Sequence, residues 1–445
     1  MNTHIKNIHG LLALFPFLFF AVFYLGLSLW TGDFYRVPMT IAFIAASAAA
    51  VCMHHPRLFN RNISIFARGM GNENIMLMCL IFILAGAFAA VAKGMGAVEA
   101  TVNIAGKCIP QSLMLPGIFL ISCFISLAVG TSCGTIAAVT PIAVSITQKL
   151  GIQPEVMLGC VIGGAMFGDN ISMISDTTIA ASRSLNVSMR DKFLTNISFA
   201  LPAAAATIII CFCFSCSSAE NPVLFASAIH AADILKTIPY ILILLLALCG
   251  INVVFLLFAT AVFTVFLGLC LGTFSFMDAL AIMGKGCLDM AETLIIALLA
   301  GGLLAVVKYY GGIAWIMQKI ENTVKSEKGC EIGTAMLVSI INLFTANNTV
   351  SIVIAGPIAR ELALKYQCSA KRTASILDTA SCVVQGVIPY GAQMLIATGI
   401  ANSNGVKISA AQLILHCHYQ QCLAIALLLW IIFKYSKPRK DILNI

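Results

Sequence analysis

Apolar runs long enough to cross a lipid bilayer recur along the whole chain, and they constrain its fold more than any other feature. A membrane-spanning helix needs roughly 20 mostly apolar residues, and many runs here reach that length. Hydrophobic residues make up 60% of the chain and charged residues only 10%, whereas a soluble domain carries about 25% charged residues. The sequence therefore predicts an all-α polytopic membrane protein.

The apolar runs divide into about 10 predicted spans and 2 further stretches that small and polar residues interrupt. Each interrupted stretch is either a re-entrant hairpin or a pair of spans, and in both cases the chain returns to the side from which it came. The spans are 11–30, 37–54, 75–92, 156–182, 195–215, 236–250, 252–272, 289–307, 373–400 and 410–433, and the interrupted stretches are 112–147 and 331–358.

The distribution of basic residues predicts the orientation of these spans. With the N-terminus inside, 19 Lys and Arg residues, including Lys192 and Arg372, fall in cytoplasmic segments, and 7 fall in outer segments. Cytoplasmic loops of membrane proteins carry the excess of Lys and Arg. Both termini are therefore expected in the cytoplasm.

The chain also contains an internal repeat. "AGAFAAVAKGMGAV" (85–98) aligns with "AGGLLAVVKYYGGI" (300–313) at an offset of 215, and "PIA" recurs at 141–143 and 357–359 at an offset of 216. Because an odd number of spans separates equivalent points, we expect two inverted-topology repeats. Repeats of this kind, with broken helices, are typical of secondary transporters that bind their substrate near the membrane midplane.

The repeat predicts how the chain is organised along its length. The expected regions are an N-terminal two-span region (1–62), a first inverted repeat (63–235), linking spans (236–277), a second inverted repeat (278–433) and a basic cytoplasmic tail (434–445).

One strongly polar segment, "FGDNISMISDTT" (167–178), lies inside an apolar span. A carboxylate at bilayer depth costs roughly 2.5–3.5 kcal/mol on insertion scales, so two of them predict a function. Unwinding of the helix near Gly168–Ser172 would free backbone carbonyls, and oxygen ligands of this kind suit a hard cation such as Na⁺. The predicted cation- and proton-binding residues are Asp169, Asn170, Ser172, Ser175, Asp176, Thr177 and Thr178, with Asp169 and Asp176 as the ligands of a transported Na⁺.

Further polar clusters occur at matching places in the two halves: "GTSCGT" (130–135), "TANNT" (345–349) and "LDTASCVVQGVIPYGAQ" (377–393). At the offset of 216, Asp169 aligns with Gln385 and Asp176 with Ala392, so the carboxylate pair belongs to the first half alone. The residues predicted to line the site from the hairpins and the second half are Thr131, Ser132, Thr135, Asn347, Asn348, Thr349, Asp378 and Gln385.

Structural roles are the alternative for several of these residues. Asp169 and Asp176 could instead cap half-helices or pair with Arg183. Asp378 lies near the basic run 360–372, where a cytoplasmic cap or an ion pair is an equal alternative to a transport role. The Asn and Thr residues of "TANNT" could serve only as hydrogen-bonding contacts between helices.

The polar segment resembles the signature of the NhaC-type Na⁺/H⁺ antiporter family, approximately G-D-K-x-S-P-x-S-D-T-T. "GTSCGTIAAVTP" is similar to the preceding segment of that family, and "GVIPYGA" (386–392) to its second-half I-P-W motif. The resemblance runs from about residue 69 to residue 400 and implies Na⁺/H⁺ exchange on the ion-transporter superfamily fold. It carries over to Asp169, Ser172, Ser175, Asp176, Thr177 and Thr178, and to Thr131, Ser132 and Thr135.

Two positions depart from the family pattern. Asn170 replaces the Lys of the signature, which removes a counter-ion for Asp169, and Met173 replaces its Pro, which leaves the first-half break less rigid. Pro389 keeps a proline in the second-half break.

These observations predict a secondary active Na⁺(Li⁺)/H⁺ antiporter in the cytoplasmic (inner) membrane. The alternative is a Na⁺- or H⁺-coupled transporter of a small organic anion, amino acid or amine. The chain carries no catalytic or nucleotide-binding motif, so we expect no enzyme activity. We expect no cofactor beyond transported Na⁺ and H⁺, no nucleic-acid partner, contact with the lipid bilayer and small cations, and, by analogy with the family, a homodimer.

Overall fold

The computed structural model describes residues 10–31, 38–53, 58–97, 100–101, 104, 110–173, 175–217, 231–249 and 251–433. Within these ranges the regular structure is helical and contains no β-strand. The all-α prediction is confirmed. The predicted basic tail, 434–445, lies outside the described residues.

Two helices, preceded by a helical turn at Gly10–Ala13, open the chain. Both helices pack against Tyr390, which lies in a non-helical segment of the second repeat. The centres of the Phe20 and Phe43 rings lie 5.6 and 5.5 Å from the centre of the Tyr390 ring, both in edge-to-face geometry. These two helices are α1 (Phe15–Thr31) and α2 (Met39–Cys52).

The described part of the first repeat has seven helices, in which a close helix pair is followed by a broken span. A 3₁₀ turn, Gln111–Leu113, precedes the pair. The helices are α3 (Phe59–Met70), α4 (Glu73–Gly94), α5 (Met114–Val129), α6 (Ser132–Leu150), α7 (Pro154–Ile171), α8 (Asp176–Ser184) and α9 (Met189–Ser217).

Two apolar helices link the repeats, α10 (Ala231–Leu248) and α11 (Val253–Cys270). The predicted boundary between spans 236–250 and 252–272 coincides with the end of α10 and the start of α11. Asn252 caps α11, because its side-chain oxygen accepts a hydrogen bond from the Val254 N–H at 2.9 Å.

The second repeat has a similar order at the same offset, except that α14 has no counterpart among the described residues and α19 with α20 together correspond to α9. Its helices are α12 (Phe276–Asp289), α13 (Ala291–Tyr309), α14 (Gly312–Thr323), α15 (Glu327–Thr345), α16 (Asn348–Lys365), α17 (Ala370–Gln385), α18 (Ala392–Ser403), α19 (Ala410–Leu415) and α20 (His418–Phe433). The pair α15 and α16 corresponds to α5 and α6, and the broken span α17–α18 corresponds to α7–α8.

Local geometry repeats at the offset of 216 as well. Gly130 and Ala346, which end α5 and α15, are both left-handed, with φ of 72° and 47°. The Ser126 hydroxyl donates to the Ala165 carbonyl at 2.5 Å, and the Asn342 amide donates to the Ser381 carbonyl at 2.8 Å. The inversion of the two repeats relative to a membrane stays a prediction.

Among the described residues, five segments have the length and hydropathy to cross a membrane. In two of them the segment comprises consecutive helices, α7 with α8 and α12 with α13. The segments are Ile75–Gly94, Pro154–Ser184, Met189–Ser215, Val253–Cys270 and Phe276–Tyr309. An integral membrane protein follows from these segments, and the full number of ten spans stays a prediction.

Glycines allow α4 and α12 to cross with their backbones in contact. A Cβ atom added at Gly286 would lie 2.4 Å from the Gly86 carbonyl oxygen, whereas one added at Gly284, two residues earlier in α12, would meet nothing within 4 Å. A Cβ atom added at Gly69 of α3 would lie 2.6 Å from the Gly301 carbonyl oxygen of α13. The two crossings join the repeats, since each pairs one helix from either half.

We expect Gly286→Val to lower the free energy of unfolding by about 1–3 kcal/mol, because the added atoms force the α4–α12 crossing apart. Gly284→Val is the matched control and is expected to leave stability nearly unchanged. Thermal unfolding of the detergent-solubilised protein measures both. Equal melting temperatures for the two variants would contradict the crossing.

Candidate functional site

The first-repeat span is broken between α7 and α8. Helix α7 continues to Ile171, and the Ser172 N–H still donates to the Gly168 carbonyl at 2.8 Å. The predicted unwinding near Gly168–Ser172 is therefore placed too early, because the break begins at Ser172. Ser175 ends it by capping α8, its hydroxyl accepting from the Thr177 N–H at 3.3 Å.

The second-repeat span is broken between Gln385 and Ala392, in the segment that contains Pro389. Proline lacks the N–H that a continuing helix requires, so the predicted role of Pro389 fits the break.

The tips of both helix pairs reach the first break. Ser132, at the tip between α5 and α6, donates to Asp169 Oδ2 at 2.9 Å, and Asn348, at the tip between α15 and α16, donates to the same oxygen at 3.3 Å. Each tip thus lies level with the middle of a broken span. This placement favours re-entrant hairpins over paired spans.

Asp169 is the point at which these elements meet. Its side chain is buried, and Ser175 donates to its other oxygen, Oδ1, at 2.5 Å. Among its contacts in the described chain, all three hydrogen-bond donors are uncharged. A buried carboxylate without a paired cation is costly, so this group gains from binding either a proton or a metal cation.

Gln393 is a site residue that sequence analysis missed. Its amide nitrogen donates to the Ser132 hydroxyl at 3.0 Å, and its oxygen accepts from Gln385 at 2.7 Å. Gln385 also donates to the Ala346 carbonyl at 3.0 Å, so it holds Gln393 and the second hairpin tip in place without contacting Asp169. The available signal was the repeat, since Gln393 lies 216 residues after the predicted ligand Thr177.

A cavity of about 380 Å³ opens beside Asp169; we call it the acidic cavity. Asp176 lines it too, but this carboxylate is exposed and occupies the first position of α8. In the described chain no ion pair joins Asp176 to Arg183. Eight predicted residues line the acidic cavity, namely Thr131, Ser132, Asp169, Asp176, Thr177, Asn347, Asn348 and Thr349, together with Gln393.

The remaining predicted residues lie around the cavity without lining it. The Thr135 hydroxyl donates to the carbonyl of Thr131 at 3.0 Å, within its own helix. The Ser172 hydroxyl donates to the Leu127 carbonyl at 3.2 Å and so fastens the break to the first hairpin.

Behind Asp169 lies a fully buried ion pair between Lys192 and Asp378. The Lys192 ammonium group also donates to the Thr178 hydroxyl at 2.6 Å and to the Asn170 backbone carbonyl at 2.7 Å. Asp378 accepts further hydrogen bonds from Asn170 and Asn196, each at 3.2 Å. We call these five residues the ion-pair network; it joins α7, α8 and α9 of the first repeat to α17 of the second.

Asp378 does form an ion pair, but with Lys192 and not with the basic run 360–372. It does not line the acidic cavity, and its predicted role in transport stays a prediction. Lys192, which was counted in a cytoplasmic segment, does not lie in a loop. Lys192 lies one turn inside α9, and its side chain is buried in the helix bundle.

Arg372 is a second cation of the cytoplasmic count that the structure places inside a helix, near the start of α17. It is mostly buried and binds Glu331 through two nitrogens, at 2.5 and 2.8 Å. With both residues removed, basic residues still favour the predicted inner side.

Asn170, which stands at the lysine position of the family signature, is part of the ion-pair network. The Asn170 amide donates to Asp378 and, at 3.1 Å, to the Thr379 hydroxyl. Lys192 brings an ammonium group to the Asn170 backbone from another helix. A charged nitrogen is thus present beside the segment although the signature position lacks one.

The ligand types around the acidic cavity are hydroxyl, amide and carboxylate oxygens. Among the described residues no group of three or more His, Cys, Asp or Glu side chains could hold a metal ion. Oxygen ligands suit hard cations rather than transition metals.

Apolar helices, hairpin tips that reach helix breaks, and a buried carboxylate without a cation together define a membrane transporter of the broken-helix class. Comparison with known proteins agrees. The model of the Na⁺/H⁺ antiporter family matches residues 7–216 and 218–432, and the chain belongs to that family.

Several characterised proteins are similar to the chain. The Na⁺/H⁺ antiporter NhaC of Bacillus subtilis is 26% identical over 395 residues, which cover 80% of this chain and 84% of that protein. NhaC of Alkalihalophilus pseudofirmus is 24% identical over 61% of this chain and 64% of its own. The malate-2H⁺/Na⁺-lactate antiporter of Bacillus subtilis is 29% identical over 140 residues, which cover 32% of this chain and 30% of that protein.

Among solved structures, the YdaH transporter of Alcanivorax borkumensis aligns with 89% of this chain and 97% of its own at 14% identity. The TM-score of 0.40 is too low to transfer its topology.

We expect Lys192→Met to lower the free energy of unfolding by about 3–5 kcal/mol, because it leaves the Asp378 carboxylate buried and unpaired. The double variant Lys192→Met/Asp378→Leu removes both charges and should be more stable than Lys192→Met alone. Chemical unfolding in detergent, monitored by tryptophan fluorescence, measures both.

The partly exposed pair Lys371–Asp191, with a separation of 3.4 Å, is the control. Asp191→Asn should change stability by less than about 1 kcal/mol. A double variant less stable than Lys192→Met would refute the pairing.

Proposed function

We propose that the chain is a secondary active antiporter that exchanges Na⁺, or Li⁺, for H⁺ at Asp169. The observation that carries this proposal is a buried carboxylate without a cationic partner in the described chain, held by both hairpin tips at a helix break and open to the acidic cavity. A group in this position binds one positive charge at a time, either a proton or an alkali cation.

The surrounding hydroxyl groups allow both states. Ser132 and Ser175 now donate to Asp169. A hydroxyl is also an acceptor and can turn its proton away, so the same oxygens serve as ligands when a cation replaces the proton. Thr177, 2.8 Å from the Ser175 hydroxyl, adds a further oxygen.

The ion-pair network is proposed to fix the site rather than to bind the transported ion. The charges of Lys192 and Asp378 balance each other, and both residues bond Asn170, the neighbour of Asp169. A neutral, hydrogen-bonded support leaves Asp169 as the buried group whose charge changes during transport.

Asp176 is proposed to draw cations into the cavity. It is exposed, shares the acidic cavity with Asp169 and adds negative charge at its surface. Such a charge raises the local concentration of cations.

The predicted orientation indicates the side of the membrane to which the acidic cavity opens. The acidic cavity is lined by Leu77 and Met78, near the start of α4, and by 251–253, between α10 and α11. The positive-inside rule assigns both segments to the cytoplasm. We therefore propose a cytoplasmic-membrane protein with both termini inside, here in a cytoplasm-facing state, with a homodimer as its proposed assembly.

In liposomes that contain the protein and a pH-sensitive dye, an imposed Na⁺ gradient should drive proton movement without any added organic solute. We expect Asp169→Asn to reduce this movement to the level of protein-free liposomes, because the amide carries no negative charge and cannot exchange a proton for Na⁺. Asp289→Asn, at the exposed end of α12, is the control and should remain active.

The same assay separates the two carboxylates. Asp176→Asn is expected to raise the Na⁺ concentration at half-maximal rate and to leave much of the maximal rate, because Asp176 concentrates ions without closing around them. Complete inactivity of a folded Asp176→Asn protein would instead make Asp176 a direct ligand.

A second candidate function is cation-coupled exchange of a small organic solute. The name of one similar protein, the malate-2H⁺/Na⁺-lactate antiporter, supports it. Proton movement that appears only after an organic acid, amino acid or amine is added to the liposomes would favour this function over simple antiport.

A further inference from the structure

A second cavity, of about 520 Å³, lies on the other side of the second hairpin tip; we call it the basic cavity. It is formed by the ends of α3 and α13, the start of α4 and the hairpin of α15 and α16. Its apolar lining includes Ile65, Ile75, Leu304 and Val350. Its volume falls within the range of small-molecule sites, about 300–1,000 Å³.

Two cations, Arg68 and Lys308, line the basic cavity, and no carboxylate is among the described lining residues. Neither cation takes part in an ion pair within the described chain; Glu73, although it begins α4, does not line the cavity. A third cation, Arg61, lies near the rim, with its guanidinium carbon 4.9 Å from the centre of the Tyr309 ring. The charge of this cavity is opposite to that of the acidic cavity.

The two cavities share a wall. Asn347 and Val350 line both of them. Asn347 caps α16, where its side-chain oxygen accepts from the Val350 N–H at 3.0 Å, and the next residue, Asn348, donates to Asp169. A ligand that shifts this tip from the basic side therefore acts on the cation site.

We propose that the basic cavity binds a small organic carboxylate that has a short apolar body, and that its occupancy changes cation binding at Asp169. The carboxylate lies between Arg68 and Lys308, which provide charge-assisted hydrogen bonds. The apolar body packs against Ile75 and Leu304. This site is additional to the proposed exchange at Asp169, and it binds whether or not the anion is carried across the membrane.

Isothermal titration of the purified, delipidated full-length protein with sodium butyrate tests the proposal, with butyramide as the uncharged probe and sodium chloride as the salt control. Butyrate should bind and butyramide should not. Arg68→Gln and Lys308→Gln should each weaken butyrate binding about tenfold. Arg68→Lys should retain most of the affinity, and Lys319→Gln, a charge change on the exposed face of α14, should retain all of it.

The coupling between the basic cavity and Asp169 is measured separately, from the dissociation constants of Na⁺ and butyrate. Binding at linked sites is reciprocal, so saturating butyrate should change the Na⁺ dissociation constant by the factor by which Na⁺ changes that of butyrate. Butyrate binding should also persist in Asp169→Asn, so that failure of the proposed exchange and failure of this proposal give different results.

Equal binding of butyrate and butyramide, or equal affinity in the Arg68→Gln and Lys319→Gln proteins, would overturn the proposal. A lipid result would also overturn it. In that result, native mass spectrometry shows phosphatidylglycerol bound to the delipidated protein, the Arg68→Gln/Lys308→Gln variant loses the lipid, and butyrate does not compete with it. In that case the basic cavity is a lipid headgroup site.

Discussion

The cost of keeping the Asp169 carboxylate away from water is the constraint on which the rest of the site depends. Three uncharged side chains, Ser132, Ser175 and Asn348, hydrogen-bond to it. They come from three separate elements, namely both hairpin tips and the first helix break. Removal of any one element would leave the carboxylate with unfilled hydrogen-bonding capacity in a buried position. The fold and the proposed exchange are thus linked through one group.

The two repeats supply similar frameworks and different chemistry. Hairpins and breaks recur at an offset of 216, but Gln385 stands where the first repeat has Asp169. The buried charges nevertheless join the halves, because Lys192 belongs to the first repeat and Asp378 to the second. The site thus lies where the two halves meet. In alternating access, one half moves relative to the other around such a site.

Sequence alone predicted the helical class and the broken spans, because a long apolar run that contains polar residues has few physical explanations in a bilayer. It left the two interrupted stretches as hairpins or paired spans, and it gave Asp169 and Asp176 equal roles, because burial cannot be read from the sequence. It did not locate Lys192. A lysine near the end of an apolar helix reads as a surface charge, and only the packing of α9 against α7 and α17 turns it inward. Gln393 was missed for a related reason, since its role depends on a hairpin tip more than 250 residues away in the chain. The shorter helices α3, α12 and α14 are too short or too polar to be predicted as spans.

The central claim is that Na⁺ and a proton compete for Asp169. Isothermal titration of the purified protein with NaCl, repeated in buffers of different ionisation enthalpy, counts the protons released when Na⁺ binds. At a pH at which Asp169 is protonated, about one proton should be released for each Na⁺ bound, and Asp169→Asn should show neither this Na⁺ binding nor proton release. Binding of Na⁺ without proton release across the pH range, or unchanged binding in Asp169→Asn, would contradict it.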